Sequence, residues 1–296
     1  MSCPNSTSPI DISLANIAGK CDLKCDYSFK YNNSSCIATN RGDYISLSYD
    51  ASSTPPVLYN DSKYDVKEVR IYTPSLHSYN GAKTDGELII VHTSNFGSKN
   101  MLVCVPIKMN NSNDVSSILF TSVVDAMTRN APTDGETTQV TIQKYNLDLL
   151  VPKHPYFSYS GTEPFQPCST NVDLIVFEST LNITQATLNK LTKIISINVY
   201  DIKTGNPLFY NEKGPSKGNV GDEIYIDCQP VGQSDETTQI VTDTSYSTMT
   251  YSDIINNPIF KIIMASLIFI ILLYIIAKLL GTLSPTKGGS ISTIVK

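Results

Sequence analysis

The sequence predicts a mainly β (α+β) fold with peripheral helices, followed by one C-terminal transmembrane helix. The chain contains 17 tyrosines and only 17% charged residues, a composition that favours strands over helices. Alternating apolar and polar runs, separated by turn residues, continue to about residue 228. Residues 262–277 then carry no charge and are almost wholly apolar, which predicts the membrane helix.

The individual elements follow from the same periodicities. Strands are predicted at 27–31, 44–49, 69–72, 87–92, 101–108 and 173–177. The first two are expected to flank a tight hairpin turn at 40–42. Helices are predicted at 116–130 and 185–194. The spacing of the first helix directs one apolar face toward the core, formed by Ile118, Leu119, Val123, Val124 and Met127.

The chain is predicted to have four segments. A globular domain occupies 1–230, and a Ser/Thr-rich flexible stalk follows at 231–258. A transmembrane helix is predicted at 259–281, because its charge-free run and the flanking apolar residues together span a bilayer core of about 30 Å. The last segment, 282–296, is a short basic tail. The first ten residues lack the features of a signal peptide, so a C-terminal anchor with a cytosolic domain is expected.

The globular region is acidic. All 27 acidic residues lie at or before Asp253, against 18 basic residues, which gives this region a net charge of −9. Nucleic acid is excluded as a partner, because phosphate binding requires clustered cations and no basic run occurs. Lys63, Lys67 and Arg70 form the one local group that could make a basic patch.

Seven cysteines are an unusually high and odd number for a cytosolic protein without a metal. Cys21, Cys25 and Cys36 lie close together, but their spacing does not match a zinc knuckle and no histidine is near. A local disulfide in this stretch is therefore favoured over a metal site. The sequence leaves open how five of the cysteines pair, namely Cys21, Cys25, Cys36, Cys104 and Cys228.

Three segments, in the same order along the chain, resemble the α-carbonic anhydrases. Residues 8–12 (SPIDI) are similar to the family's N-terminal Q-S-P-I-[DN]-I. Residues 68–92 (EVRIYTPSLHSYNGAKTDGELIIVH) are similar to Q-F-H-F-H-x-P-S-E-H-x-x-x-G followed by E-L-H-L-V-H. Residues 158–177 (SYSGTEPFQPCSTNVDLIVF) are similar to Y-x-G-S-L-T-T-P-P-C-x-E-x-V-x-W-I-V. The resemblance implies a large, twisted, mostly antiparallel sheet with a conical cleft.

The resemblance also implies a disulfide between Cys3 and Cys168, since secreted members of the family often join cysteines at these two places. It further implies which positions would bind zinc. Three histidines on two adjacent strands hold the metal in an active enzyme. The corresponding positions here are Arg70, Tyr72 and Ile89. A guanidinium cannot coordinate zinc and isoleucine has no lone pair, so neither a metal nor any other cofactor is expected.

The neighbouring positions depart from the family pattern as well. The threonine that would orient a zinc-bound hydroxide is replaced by Pro164, the next threonine by Phe165, and the proton-shuttle histidine by Asp43. Two supporting residues remain, Glu87 and His77. With no metal to serve, Glu87 is expected to pair with Arg70 across the strands. His77 and His92 are expected to be hydrogen-bonded core residues rather than ligands.

The whole layout resembles the carbonic-anhydrase-like envelope proteins of poxviruses and other large DNA viruses. That resemblance implies a non-catalytic virion membrane protein that acts by binding. The partner would be a host-surface glycan or protein in an attachment role, or viral capsid protein in a scaffolding role between membrane and capsid. The alternative hypothesis is an active zinc lyase (carbonate dehydratase) that uses unorthodox ligands.

Overall fold

The computed structural model describes residues 3, 5–22, 24–94, 99–197, 199–216, 275, 276 and 278. The chain divides into two units, 1–226 and 227–296. The predicted stalk and tail lie outside the described residues. Of the predicted membrane helix, only residues 275, 276 and 278 are described, and these three are helical. No helix within the described ranges is both long enough and apolar enough to cross a membrane.

Strands dominate the first unit. In chain order they are β1 (Asp11–Ile12), β2 (Ile17–Lys20), β3 (Tyr27–Phe29), β4 (Ile37–Asn40), β5 (Ile45–Leu47), β6 (Val57–Tyr59), β7 (Ser62–Tyr72), β8 (Ser78–Tyr79), β9 (Gly86–Ser94), β10 (Asn100–Met109), β11 (Thr137–Gln139), β12 (Tyr156–Gly161), β13 (Val172–Phe177), β14 (Leu181–Ile183) and β15 (Leu208–Asn211). The helices are α1 (Val115–Asn130) and α2 (Gln185–Ile194), with short 3₁₀ turns at Leu14–Asn16 and Leu147–Leu149.

One large mixed sheet contains nearly all of these strands. Its order is β11-β4-β5-β7-β9-β10-β13-β12-β15-β2, with β14 beside β10 and β3 joined through β6 to β7. Among the described strands, β10 runs parallel to β13 and β14, and β15 runs parallel to β2, while the other pairs in this sheet are antiparallel. The short strands β1 and β8 form a separate parallel pair. The mainly β prediction is confirmed, and the sheet is mixed.

The central strands divide the core into two clusters because their side chains alternate between the faces of the sheet. From β7, Val69 and Ile71 pack on one face together with helix α1. Tyr72 packs on the opposite face with Ile89 from β9. The helix therefore covers one face, and the predicted metal-site positions lie on the other.

Helix α1 begins at an N-cap whose side-chain oxygen, Asp114 Oδ1, accepts a hydrogen bond of 2.9 Å from Ser117 N. Leu119, Val123 and Val124 are buried as predicted. The prediction for Ile118 is wrong: it is 52% exposed, and Phe120 is fully buried instead. The buried face otherwise includes the predicted residues, and the helix packs on α2, β14, β11 and β4.

We expect the Ile118→Lys variant to change the free energy of unfolding by no more than about 0.5 kcal/mol, because the side chain already lies in solvent. Urea denaturation of the variant and the unmodified chain measures this difference. A loss of several kcal/mol would mean that Ile118 is buried and that the predicted face was right.

The predicted hairpin has a different first strand. The turn at Asn40–Gly42 connects β4 to β5, whereas β3 pairs with β6. Gly42 adopts a φ of +78°, and its backbone N–H donates to Asn40 Oδ1 at 2.9 Å, so the turn itself formed where expected. Strand β4 was missed because its four residues, Ile-Ala-Thr-Asn, carry little apolar signal.

Two disulfides occur in the described residues. One joins Cys3 to Cys168 with a Cα–Cα distance of 5.7 Å, the pair that the family resemblance implies. The other joins Cys21 to Cys25 at 5.4 Å, in the stretch where a local disulfide was favoured. Cys36 and Cys104 are buried thiols, and Cys228 lies outside the described residues.

Candidate functional site

The three positions that the resemblance assigns to zinc ligands come together on one face of the sheet. Arg70 lies directly opposite Ile89 across the β7–β9 pair, and Tyr72 lies opposite Glu87. Since Arg70 and Tyr72 are two residues apart on one strand, their side chains leave the same face. Arg70, Tyr72 and Ile89 are all buried. The fold thus brings together a guanidinium, a phenol and an alkyl group at the positions that the resemblance assigns to zinc ligands.

Arg70 fills this place with its own positive charge. Its Cζ lies 4.0 Å from the centre of the Phe165 ring and 4.7 Å from that of Tyr44, so the guanidinium lies between two aromatic faces. Its Nε donates to Glu68 Oε1 at 2.7 Å, and Nη2 donates to the same oxygen. Its Nη1 donates to the Tyr72 hydroxyl at 3.3 Å. A cation therefore lies at a position that the resemblance assigns to a zinc ligand.

The neighbours of Arg70 keep it charged. Burial alone would lower the pKa of its guanidinium, but the hydroxyl of Tyr72 and the carboxylate of Glu68 outweigh burial and raise it. Glu68 is itself held by Ser46, whose hydroxyl donates to Oε2 at 2.8 Å. The expected pairing of Arg70 with Glu87 is wrong. Glu68 lies two residues before Arg70 on β7, so both side chains are on the same face of the strand. Glu68, rather than Glu87, therefore pairs with the guanidinium.

Glu87 belongs to a separate buried network. Its Oε1 accepts from His77 Nδ1 at 2.7 Å and from the Tyr79 hydroxyl at 3.0 Å. Its Oε2 accepts from the backbone N–H groups of Leu76 at 2.6 Å and His77 at 3.0 Å. His77 Nε2 completes the chain with Tyr159 at 2.7 Å. Burial raises the pKa of Glu87, but the charge and hydrogen bonds of His77 and the Leu76 N–H more than compensate, so the pKa is lowered.

The residues at the predicted metal positions do not fit zinc. Arg70 has five donors and no lone pair to offer, and the Ile89 side chain has no donor atom. The Tyr72 hydroxyl accepts from Arg70, and burial raises the pKa of that phenol well above its usual range, which disfavours a phenolate ligand. A zinc ion here would also be repelled by the guanidinium.

A second group of side chains has ligand atoms close enough for a metal. One ligand atom each of His77, Glu87 and Cys104 lies within 4.8 Å of the others, and all three residues are buried. However, both ring nitrogens of His77 are already hydrogen-bonded, to Glu87 and to Tyr159. Burial and the nearby Glu87 charge raise the pKa of the Cys104 thiol well above its usual range, so it is protonated. These three side chains therefore form a hydrogen-bonded polar part of the core, and their ligand atoms are not free to bind a metal ion.

Of the positions that the resemblance assigns to the gate and the proton shuttle, Phe165 contacts Arg70. Phe165 stacks on the guanidinium and on the Tyr72 ring, whose centroid is 6.2 Å away. The carbonyl of Pro164 accepts from Cys3 N at 3.3 Å, which ties this loop to the N-terminal segment. Asp43 lies in the β4–β5 connection near Tyr200; burial raises the pKa of Tyr200 to about 12, and the Asp43 charge adds to the rise. The site is walled by aromatic rings.

Sequence reasoning missed three residues of this site. Glu68 was within the quoted motif and two positions from Arg70, so the strand period could have identified it as a same-face partner. Tyr44 and Tyr200 come from distant segments, and no local pattern connects them with β7. The suggested basic patch is wrong in one member, because Arg70 is buried and ion-paired. Lys63 and Lys67 are exposed on the same strand.

His92 is also a core residue. Its Nε2 is 2.9 Å from the Tyr31 hydroxyl, and Tyr31 is in turn 3.2 Å from Tyr27. Complete burial lowers the pKa of His92 to about 3, so the ring is neutral at physiological pH. His77 and His92 are thus hydrogen-bonded core residues, as expected.

Comparison with known proteins places these features in a family. Residues 2–207 match the model of the eukaryotic-type carbonic anhydrases. A carbonic anhydrase of Nostoc sp. is 23% identical over 199 residues, which cover 67% of this chain and 72% of that protein. The solved carbonic anhydrase Cah3 of Chlamydomonas reinhardtii, in complex with acetazolamide, has a TM-score of 0.60 at 16% identity and covers 70% and 91% of the two chains. The α-carbonic anhydrase of Thermovibrio ammonificans, in complex with sulfanilamide, has a TM-score of 0.58 at 21% identity, with 69% and 86% coverage.

Proposed function

The chain belongs to the eukaryotic-type carbonic anhydrase family, and we propose that it is a non-catalytic, membrane-anchored member that acts by binding. The observation that carries this proposal is the position of Arg70. A fixed cation, stacked between Tyr44 and Phe165 and paired with Glu68, lies at a position that the family resemblance assigns to a zinc ligand. Without a metal ion there is no group to lower the pKa of water, so the usual nucleophile cannot form.

The retained residues support the same proposal. His77 and Glu87 are hydrogen-bonded to each other within the buried core, and the role proposed for them is structural. Phe165 occupies the second gate position and is buried, so an aromatic ring stands where the family pattern has a threonine hydroxyl. The fold is thus preserved as a scaffold, while the chemistry of the cleft has been replaced by an aromatic and cationic wall.

The binding role is proposed to be that of a virion membrane protein, held by the apolar segment at 259–281. Its support is the resemblance to carbonic-anhydrase-like envelope proteins of large DNA viruses, which share this order of domain and anchor. The partner is then either a host-surface glycan or protein, or viral capsid protein. The net charge of −9 before the anchor disfavours polyanionic surfaces as a whole-domain target.

Metal content and CO2 hydration test the non-catalytic proposal directly. We expect the purified full-length chain, incubated with zinc and then desalted, to retain no stoichiometric zinc and to leave CO2 hydration at the rate of the buffer alone. A zinc-loaded active member of the family serves as the positive control. The Cys104→Ser variant should behave like the unmodified chain. One zinc per chain, hydration removed by a chelator, and loss of both in Cys104→Ser would establish the alternative, a zinc lyase with unorthodox ligands.

The partner class is tested by binding. In the attachment role, the full-length chain in detergent or liposomes binds host cells saturably, and soluble glycans or protease treatment of the cells removes the binding. In the scaffolding role, it associates with capsid protein and does not bind cells. Failure of a folded chain to bind either class would overturn the proposed binding role while leaving the metal result unaffected.

A further inference from the structure

One cavity lined by described residues lies outside the positions that the resemblance assigns to zinc binding. It has a volume of about 760 Å³, within the range that holds small organic ligands. Its wall is formed by Cys21, Asp22, Lys24 and Cys25 beside the short disulfide, the end of β6, strand β12 and strand β15. None of the positions assigned to zinc binding contributes to it. A ligand in this cavity would therefore not depend on the state of the metal site.

The cavity is locally cationic in an otherwise acidic domain. Three lysines line it, against two aspartates. Lys20 is paired with Glu212, and Lys99 with Asp173 at 2.6 Å. Lys24 is exposed and forms no ion pair with any described residue. Among the described lining residues this leaves Lys24 and Asp22 outside any ion pair, and Lys24 is the group that an anionic part of a ligand would pair with.

The remaining wall alternates aromatic and polar groups. Phe209 supplies half-buried ring surface, Tyr59 lies in the wall but is only 4% exposed, and Pro207 adds an apolar edge. The hydroxyls of Tyr59 and Ser158 are 2.9 Å apart, and Ser160 donates to Asp173 Oδ1 at 2.8 Å. Each hydroxyl oxygen has lone pairs beyond those bonds, so they can accept further hydrogen bonds from a ligand. Aromatic surface beside several hydrogen-bonding groups is suited to a sugar ring.

Other ligand classes fit less well. An alkyl chain would lie against the Lys99–Asp173 ion pair, which it cannot solvate. A phosphate or sulfate group is best held by the bidentate fork of arginine, and the described lining contains no arginine. A carboxylate needs one point charge and a few hydrogen-bond donors, which Lys24 and the neighbouring polar groups provide.

We propose that this cavity binds a carboxylate-bearing sugar, with Lys24 pairing the carboxylate and Phe209 and Tyr59 contacting the ring. The site stands independently of the proposed function, since a protein with an active or an inactive metal centre could carry it. If the chain acts in attachment, the site names the class of glycan terminus that it would recognise.

Calorimetric titration of the full-length chain tests the site with N-acetylneuraminic acid and galacturonic acid as probes. We expect saturable binding of at least one acid, and binding at least about tenfold weaker for the methyl ester of that acid, which lacks only the charge. The Lys24→Glu variant should weaken binding of the acid by about tenfold or more. The matched variant Lys144→Glu makes the same charge change at an exposed lysine outside the cavity and should bind normally.

Three results would overturn the proposal. The first is that a folded chain binds neither acid saturably. The second is that the acid and its methyl ester bind equally well. The third is that Lys24→Glu and Lys144→Glu change the binding of the acid equally. The last would show that general surface charge, rather than this cavity, attracts the probe. Zinc content and CO2 hydration are measured in separate experiments. Failure of the sugar to bind would therefore leave the non-catalytic proposal unaffected, and zinc-dependent activity would leave the cavity proposal unaffected.

Discussion

Replacing Glu87 with leucine is expected to lower the free energy of unfolding by about 3–5 kcal/mol, the range seen when one partner of a buried ionic network is removed. Glu87 is fully buried and accepts four hydrogen bonds, two of them from the backbone N–H groups of Leu76 and His77. Leucine offers no acceptor, so both backbone groups and the His77 ring would be left buried without that partner. The loss follows from these unsatisfied donors rather than from any metal.

Chemical denaturation of the full-length chain and its variants measures this loss. The control is Glu212→Leu, which removes a glutamate whose ion pair with Lys20 lies in solvent and should cost about 1 kcal/mol or less. A Glu87→Leu variant as stable as the control would show that the network around His77 contributes nothing to the fold. In that case Glu87 would have to be explained by a functional role.

The same carboxylate should make stability depend on pH. Its pKa is lowered in the folded protein, because the charge and hydrogen bonds of His77 outweigh the effect of burial. A group with a depressed folded pKa contributes stability that is fully present above its unfolded pKa, about 4.3 for glutamate, and is lost as pH falls through the folded value. The stability difference between the unmodified chain and Glu87→Leu should therefore be largest near neutral pH and shrink in acid.

Much of the fold could be predicted where a segment carries its own signal. The predicted helix at 185–194 has the same bounds as α2, and the apolar run at 101–108 matches β10 to within a residue at each end. Strands of two to four residues, such as β4 and β15, were missed or mispaired. Their identity depends on hydrogen bonds to strands far away in the chain, and so few residues show no periodicity.

The sequence indicated which positions share the site, but not which side chains surround them. Motif spacing identified Arg70, Tyr72 and Ile89, and the β7–β9 register brings them to one face. What Arg70 contacts could not be read from the motif, because Tyr44 and Phe165 reach it from distant loops. The error over Glu87 had a different cause. The His77 ring, the Tyr79 hydroxyl and two backbone N–H groups hold that carboxylate in place, and the motif spacing does not show that they converge on it.

Removing the Cys3–Cys168 disulfide by the double change Cys3→Ser and Cys168→Ser is expected to cost about 2–5 kcal/mol of stability. The bond closes a loop with a sequence separation of 165, so its loss frees a large part of the unfolded chain. The Cys21–Cys25 bond has a separation of only 4, and the chain-entropy argument predicts a smaller cost, about 2 kcal/mol, for its removal. Denaturation of both double variants compares the two bonds directly.

The longer bond should also matter for the site. Cys168 ends the loop that carries Pro164 and Phe165, and Phe165 covers the Arg70 guanidinium. Without the disulfide, the backbone hydrogen bond from Cys3 to Pro164 is left as a weaker tie between that loop and the N-terminal segment. Hydrogen exchange at residues 162–168 should therefore accelerate more than exchange in α2, which does not contact the bond. Equal stability losses in the two double variants, or unchanged exchange in the loop, would show that the Cys3–Cys168 bond does not hold the wall of the former metal site.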